Sequence, residues 1–107
     1  MEFQSARKFD RYEVRAPAVV RQATGNGVKH HLLLTRDISE GGAYFNTMEP
    51  RAYSGRVQIE LLLEVTGNDN EVNYTYMTVN GEVVRHDDMG IAVSFKGDSK
   101  LTTFHVN

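Results

Sequence analysis

The residues best suited to bind a polar ligand lie in the stretch TRDISEGGAYF, which runs from Thr35 to Phe45. It joins two apolar runs, where a simple hairpin would need only a two-residue turn. Instead it carries a carboxylate (Asp37), a hydroxyl (Ser39) and two adjacent glycines, the second being Gly42. These side chains can hydrogen-bond a ligand, but Asp and Ser can equally bond their own backbone in a turn. The residues alone leave both interpretations open.

A second group consists of two arginines near the start of the chain. Arg7 and Arg11 stand in an R-x-x-x-R spacing within ARKFDR. Residues 1–36 hold seven basic and three acidic side chains, whereas the remainder holds five basic and eleven acidic ones. This asymmetry favours a localised anion site over a long nucleic-acid track, although charge alone also fits a solvated surface. An exposed helical arginine pair is disfavoured because like charges at i, i+4 repel.

The elements that must position these residues are predicted to be strands. Apolar side chains alternate with polar ones, as in Val57, Ile59 and Leu61 against Gln58 and Glu60, which is the pattern of a half-buried strand. Turn signals such as TGNG and HDDMG separate the runs. We predict six strands, roughly at residues 12–22, 28–36, 42–47, 56–66, 73–85 and 90–96, with Gly81 marking a bend or bulge.

Six short strands with one apolar face each must close on themselves or pack on a second sheet to bury that face, and a small barrel is the simpler solution. The predicted fold is therefore all-β, a six-stranded antiparallel β-barrel. We expect residues 1–11 to form a flexible N-terminal arm, 12–97 the barrel and 98–107 a tail. The tail forms a short helix or lies irregularly against the barrel, since Leu101 and Phe104 share an i, i+3 spacing.

The composition indicates one globular domain. The chain has 107 residues, 40% of them hydrophobic and 24% charged, with a net charge of −2, as expected of one globular domain. No apolar run approaches the ~20 residues that span a bilayer, and the charged N-terminus is unlike a secretory signal. Cysteine is absent, which fits a reducing compartment. We expect a cytoplasmic protein without membrane contact.

Motifs for catalysis, metals and cofactors are not found. The sequence contains no G-x-S-x-G, P-loop or H-E-x-x-H. His30 and His31 are adjacent and diverge on a strand, and with His86 and His105 they match no metal spacing. The pair Asp87-Asp88 is predicted to serve a turn. We therefore expect no enzyme activity, no metal and no cofactor.

The two motifs, in this order on a six-stranded pattern, resemble the signature of the PilZ domain family. That family carries R-x-x-x-R before its first strand and D-x-S-x-x-G between its second and third. The stretch GEVVRHDDMGIAVSF also resembles its last strand pair. The resemblance spans about Arg7 to Phe95 and implies a bacterial receptor for cyclic di-GMP. It implies five ligand-binding residues: Arg7, Arg11, Asp37, Ser39 and Gly42. The family commonly ends in a longer C-terminal helix, which this chain lacks or shortens.

The implied ligand suits these side chains. Cyclic di-GMP has two phosphodiesters and two guanines. An arginine fork can bond guanine O6 and N7, stack on a base or bond a phosphate. Asp37 can accept from the opposite guanine edge, and in an extended D-x-S segment Ser39 points the same way. Gly42 can admit backbone N–H groups to the ligand and adopt a positive φ.

The resemblance also implies a signalling role. Ligand binding would order the arm and alter a surface for a protein partner, with control of motility, biofilm formation or exopolysaccharide output downstream. The partner and the choice between monomer and dimer stay open.

Two other functions are weighed. One is a PilZ-like protein-interaction module that binds no nucleotide. The other is a single-stranded nucleic-acid binder that stacks bases on Tyr44, Tyr74 and Tyr76, which the acidic body beyond residue 36 disfavours. Arg15 and Arg36 lie near the motifs as possible sources of positive potential, whereas Arg85 is predicted to be a solvent-facing strand end.

Overall fold

The strands account for nearly all of the described chain. The computed structural model describes residues 12–13, 15–66 and 72–106, with side chains described over 15–64 and 72–103. The strands are β1 (Tyr12–Glu13), β2 (Pro17–Thr24), β3 (Gly27–Ser39), β4 (Gly42–Asn46), β5 (Gly55–Thr66), β6 (Val72–His86) and β7 (Gly90–Val106). A 3₁₀ turn, Pro50–Ala52, follows β4. Within these ranges there is no α-helix, and so no helix long and apolar enough to cross a membrane.

Six of the strands close into a ring. The order is β3-β2-β5-β6-β7-β4, and β4 pairs back onto β3. Every pairing in the ring is antiparallel, which confirms the predicted six-stranded antiparallel barrel. β1 is an additional short strand that pairs with the end of β3.

The first two predicted strands have different bounds in the structure. The predicted strand at 12–22 is divided into β1 and β2, and β2 begins at Pro17, where a missing N–H is tolerated. The predicted strand at 28–36 is longer and ends at Ser39. The D-x-S motif therefore lies within β3, and only residues 40 and 41 connect it to β4.

The tail is neither the short helix nor the irregular segment that were the two predicted alternatives. Residues 98–106 continue β7, whose pairing with β6 extends from Thr78↔Lys100 to Val72↔Val106. The stretch LTTFHV is rich in β-branched and aromatic residues, which favour strands, and β6 offers it a partner. One apolar pair at i, i+3 is too little to outweigh that pairing.

The core lies inside the ring and follows the predicted alternation. Ile59 and Leu61 are fully buried, whereas Leu62 between β5's inward positions is partly exposed. The buried hydrophobic residues that pack together are Ala16, Ala18, Val20, Ala43, Phe45, Tyr53, Val57, Ile59, Leu61, Met77, Val79, Ile91 and Val93.

Gly81 does not mark a bulge, contrary to the prediction. It pairs in regular register with Val57 and Phe95. A Cβ at this position would lie 2.6 Å from Cγ1 of Val93, so the glycine makes room for a core side chain. The register shifts of this strand fall elsewhere, between Thr78 and Asn80 and between Val83 and Arg85.

Thr35 is the one polar side chain among the largest fully buried residues. Its Oγ1 accepts a hydrogen bond from the N–H of Ala16 at 2.9 Å, and its own N–H donates to the carbonyl of Ala16 at 3.0 Å. These bonds join the start of β2 to β3 just before the D-x-S motif. A buried N–H needs such an acceptor, because leaving it unpaired costs free energy.

The substitution Thr35→Val tests this role. Valine has a similar volume but removes the acceptor of the Ala16 N–H, so we expect the free energy of unfolding to fall by about 1–3 kcal/mol, measured by urea denaturation. The control is Thr102→Val at an exposed position of β7, for which we expect a change within about 0.5 kcal/mol. Equal stability of Thr35→Val and the unaltered chain would contradict the assignment.

Candidate ligand-binding site

Strand register brings the D-x-S-x-x-G motif onto the outer face of the barrel, beside β7 and β6. Asp37 pairs with Tyr44, Tyr44 with Ala92, and Ala92 with Arg85. Residues that pair directly project from the same face of a sheet. These four side chains therefore form one row across β3, β4, β7 and β6.

A second row runs beside the first. Ser39 pairs with Gly42, and Gly42 pairs with Ser94. Together the rows border a cleft of about 340 Å³. Its middle positions carry small side chains, at Gly42, Ala92 and Ser94, while larger ones flank them. The alternation of Ala92 and Ser94 with buried core residues of β7 was visible in the sequence, but their position beside the motif depends on the register.

Asp37 and Ser39 both line this cleft. The Asp37 side chain is 12% exposed, and its Oδ2 accepts from Arg36 Nε at 3.2 Å. Ser39 Oγ accepts from the N–H of Gly41 at 3.2 Å and donates to the carbonyl of Gly42 at 3.4 Å. The turn chemistry considered from the sequence is thus present at Ser39. The same hydroxyl nevertheless borders the cleft, so the two interpretations do not exclude each other.

Gly42 is required for a reason that differs from the expected one. Among the described glycines, positive φ angles occur at Gly27, Gly55 and Gly97, so Gly42 does not use the positive φ that a glycine permits. A Cβ on Gly42 would instead collide with the backbone carbonyl of Val93. The glycine allows β7 to approach β4 closely, and this contact helps to form the cleft.

Arg36 contributes more to the site than the sequence indicated. It is the extra residue of a β-bulge, because Thr35 pairs with Phe45 and Asp37 with Tyr44. Its Cζ lies over the Tyr44 ring, 3.8 Å from the ring centroid. From the sequence, Arg36 was only a possible source of positive potential. The bulge that directs it carries no sequence signal here, since neither Gly nor Pro marks it.

Tyr44 is enclosed even though it belongs to the outward row. The residue is only 3% exposed, with Arg36 over its ring and its hydroxyl donating to Asp87 Oδ1. Burial first, and then this hydrogen bond, raise the pKa of the Tyr44 phenol to about 12. Asp87 Oδ1 also accepts from the N–H groups of Met89 and Gly90, each at 2.9 Å. The Tyr44 bond first, then these backbone bonds, lower the pKa of the Asp87 carboxyl.

The remaining candidate cations lie in different places. Arg85 is exposed, as predicted for a strand end, and it also lines the cleft. Arg15 instead borders a separate depression together with Pro17, Glu64 and Tyr74. It therefore lies outside the cleft formed by the motif.

The histidines diverge as expected. His30 Nδ1 accepts from Arg21 Nε at 3.2 Å, whereas the His31 ring meets Tyr53 edge-on at a centroid distance of 4.9 Å. Among the described side chains no three His, Asp or Glu residues are grouped as metal ligands.

Arg7 and Arg11 lie outside the described residues. The described strand that follows them is β1, in which Tyr12 pairs with Ile38 and Glu13 with Asp37. Tyr12 is bonded directly to Arg11 in the sequence. The chain that carries the arginine pair therefore continues into a strand that pairs with the D-x-S segment itself.

The raised phenol pKa predicts how the stability of the barrel depends on alkaline pH. Because folding holds the Tyr44 proton more firmly than the unfolded chain does, its contribution is complete below pH 10 and is lost as pH rises through about 12. We expect the stability advantage of the unaltered chain over Tyr44→Phe to shrink between pH 9 and pH 11.5, measured by urea denaturation in roughly half-unit steps.

The control variant Asp87→Asn removes the carboxylate that accepts the phenol proton. In this variant the folded-state pKa of Tyr44 is less raised, so the loss should be smaller and should be complete at a lower pH than in the unaltered chain. A stability difference between the unaltered chain and Tyr44→Phe that stays constant across this pH range would show that Tyr44 is not perturbed as described.

Comparison with known proteins identifies the family. A family model described as the PilZ domain matches residues 5–102. A search of curated proteins returned no match. PilZ domains are receptor domains that generally bind cyclic di-GMP, and the family is not one of enzymes. The match covers both sequence motifs and all seven strands except the last residues of β7. The chain therefore belongs to the PilZ domain family.

Proposed function

We propose that this domain is a cyclic di-GMP receptor without catalytic activity, and that the nucleotide binds at the cleft beside the D-x-S-x-x-G motif. The observation that carries the proposal is the pairing of β1 with β3. It joins the chain bearing Arg7 and Arg11 to the strand segment that bears Asp37. This pairing supports the proposal that the two motifs, which are at least 26 positions apart in the sequence, act on one ligand.

The arginines supply the groups that distinguish guanine. A guanidinium fork can donate to both O6 and N7 of one base, and such a pair contributes roughly 1–3 kcal/mol of discrimination. It also neutralises a phosphodiester, which a neutral side chain cannot do. Lysine would keep the charge but lose the planar fork. Arg7 and Arg11 would thus hold the ligand from the side of the N-terminal arm.

The cleft supplies complementary groups. The Asp37 carboxylate is an acceptor for the N1–H and N2–H₂ donors of guanine, and its low exposure reduces competition from water. Ser39 adds a hydroxyl that can donate or accept. The small residues Gly42, Ala92 and Ser94 leave space between the flanking side chains for a flat group such as a base.

Binding would be converted into a signal through the arm. Ordering of a segment by a ligand is a known route from occupancy to a changed protein surface. We infer that residues 1–11 close over the nucleotide and present this changed surface to a protein partner. Control of motility, biofilm formation or exopolysaccharide output would follow from that contact.

Calorimetric titration of the purified domain tests the proposal. We expect binding heat with cyclic di-GMP and none with GTP or a short single-stranded oligonucleotide. Heat with the oligonucleotide alone would favour a nucleic-acid binder. Absence of heat with all three would favour an interaction module and would overturn the receptor proposal.

Arg11→Ala tests the placement of the site. Loss of one bidentate arginine contact should weaken cyclic di-GMP binding about 5- to 150-fold. The matched control is Arg15→Ala, which removes an arginine four residues away that borders a different depression and should leave the affinity unchanged. An unchanged isotherm in the double variant Arg7→Ala plus Arg11→Ala would contradict the assignment even if the ligand binds.

Ala92→Leu tests whether the cleft itself receives the ligand. The larger side chain would fill the space between Tyr44 and Arg85 from the outer face of β7, so we expect at least about a tenfold loss of affinity by steric exclusion. Circular dichroism and a melting curve verify that the barrel is intact. The matched control is Ala23→Leu at an exposed position of β2, which borders a different depression. Full affinity of a folded Ala92→Leu variant would move the ligand away from this cleft.

A further inference from the structure

Arg36 is held in place from two sides at the edge of the cleft. Its Nε donates to Asp37 Oδ2 at 3.2 Å, and its Cζ lies 3.8 Å from the centroid of the Tyr44 ring. An unrestrained arginine side chain has many rotamers, and fixing it costs conformational entropy. These two contacts fix the direction of the guanidinium before any ligand arrives.

Most of the hydrogen-bonding capacity of this guanidinium is not used by the described residues. Of the five N–H donors of an arginine, only the one on Nε is engaged by a described residue. The side chain is 49% exposed and lines the cleft. Nη1 and Nη2 are therefore available to a ligand while the Nε edge stays on Asp37.

The platform beneath Arg36 is itself anchored. The Tyr44 hydroxyl donates to Asp87, and Asp87 also accepts from the backbone of the turn before β7 through Met89 and Gly90. The turn at Asp87, the Tyr44 phenol and the Arg36 guanidinium are thus linked by successive contacts. Such a series keeps a charged group in a defined direction, which lowers the entropy lost on binding.

The ion pair between Arg36 and Asp37 is expected to contribute little to the stability of the fold. Half-exposed pairs contribute little net free energy, because solvent screening and side-chain ordering offset the attraction. Among the described side chains that line the cleft, Arg36 and Arg85 are cations and Asp37 is the one carboxylate. These side chains give the cleft a positive electrostatic potential, which suits an anionic group.

We propose that Arg36 is a third arginine of the ligand site, which bonds a phosphodiester of the bound nucleotide through Nη1 and Nη2. Tyr44 and Asp87 act as positioning residues for it. The inference rests on the proposed function. The guanine edge that Asp37 is proposed to bind carries only donors, N1–H and N2–H₂. The Arg36 guanidinium beside Asp37 is also a donor, so it cannot bond that edge. The anionic phosphodiester, in contrast, accepts from a guanidinium at two oxygens.

The test compares Arg36→Ala and Arg36→Lys with the unaltered domain in cyclic di-GMP titrations at several salt concentrations. Removal of a charge-assisted bond should weaken binding about tenfold or more in Arg36→Ala, and affinity should also become less dependent on salt. Arg36→Lys should keep the salt dependence and recover only part of the affinity, because lysine lacks the fork. Arg56→Ala is the matched control, since Arg56 borders another depression of the barrel.

Tyr44→Phe tests the positioning role. It retains the ring under Arg36 but removes the bond to Asp87, so we expect a loss of about two- to fivefold in affinity. In the Arg36→Ala background the same substitution should have no further effect, because the group that it positions is gone. An equal loss in both backgrounds would show a merely structural role and would overturn that part of the inference.

The outcomes separate this inference from the proposed function. Binding by the unaltered domain with unchanged affinity and salt dependence in Arg36→Ala would overturn the role of Arg36 and leave the receptor intact. No binding by the unaltered domain would overturn both. Melting curves of each variant identify any loss that arises from unfolding.

Discussion

The pairing of β4 between β3 and β7 is the constraint on which both the barrel and the cleft depend. It closes the ring, and at Gly42 it brings β7 so close that no Cβ fits against the Val93 carbonyl. The same register sets Tyr44 beside Asp37 on one side and beside Ala92 on the other. Closure of the hydrophobic core and assembly of the polar cleft are thus two results of one set of backbone hydrogen bonds.

Much of this arrangement was predictable because it follows from local periodicity. Alternation of apolar and polar residues identified the strands and their inward faces, and Ile59 and Leu61 are fully buried as that pattern requires. The D-x-S spacing placed Asp37 and Ser39 on one face of an extended segment, and both line the cleft. These features depend on residues two apart, which a sequence displays directly.

The features that escaped prediction depend on contacts between distant residues or on register. The bulge at Arg36 and its approach to Tyr44 arise from a mismatch between β3 and β4. The bond between Tyr44 and Asp87 joins residues 43 positions apart. The tail becomes a strand because β6 extends far enough to pair with it, and Gly81 is small because Val93 faces it. None of these partners can be assigned without knowing how the strands align.

The order of the strands along the chain has a consequence for biosynthesis. β4 pairs with β3 across a two-residue connection. Its other edge pairs with β7, whose first residue is 44 positions beyond the last residue of β4. During translation the motif strand and its hairpin partner emerge well before the strand that completes the wall beside them. On the nascent chain the second edge of β4 therefore stays unpaired until β7 has been synthesised, and the cleft is completed only in the last step of barrel assembly.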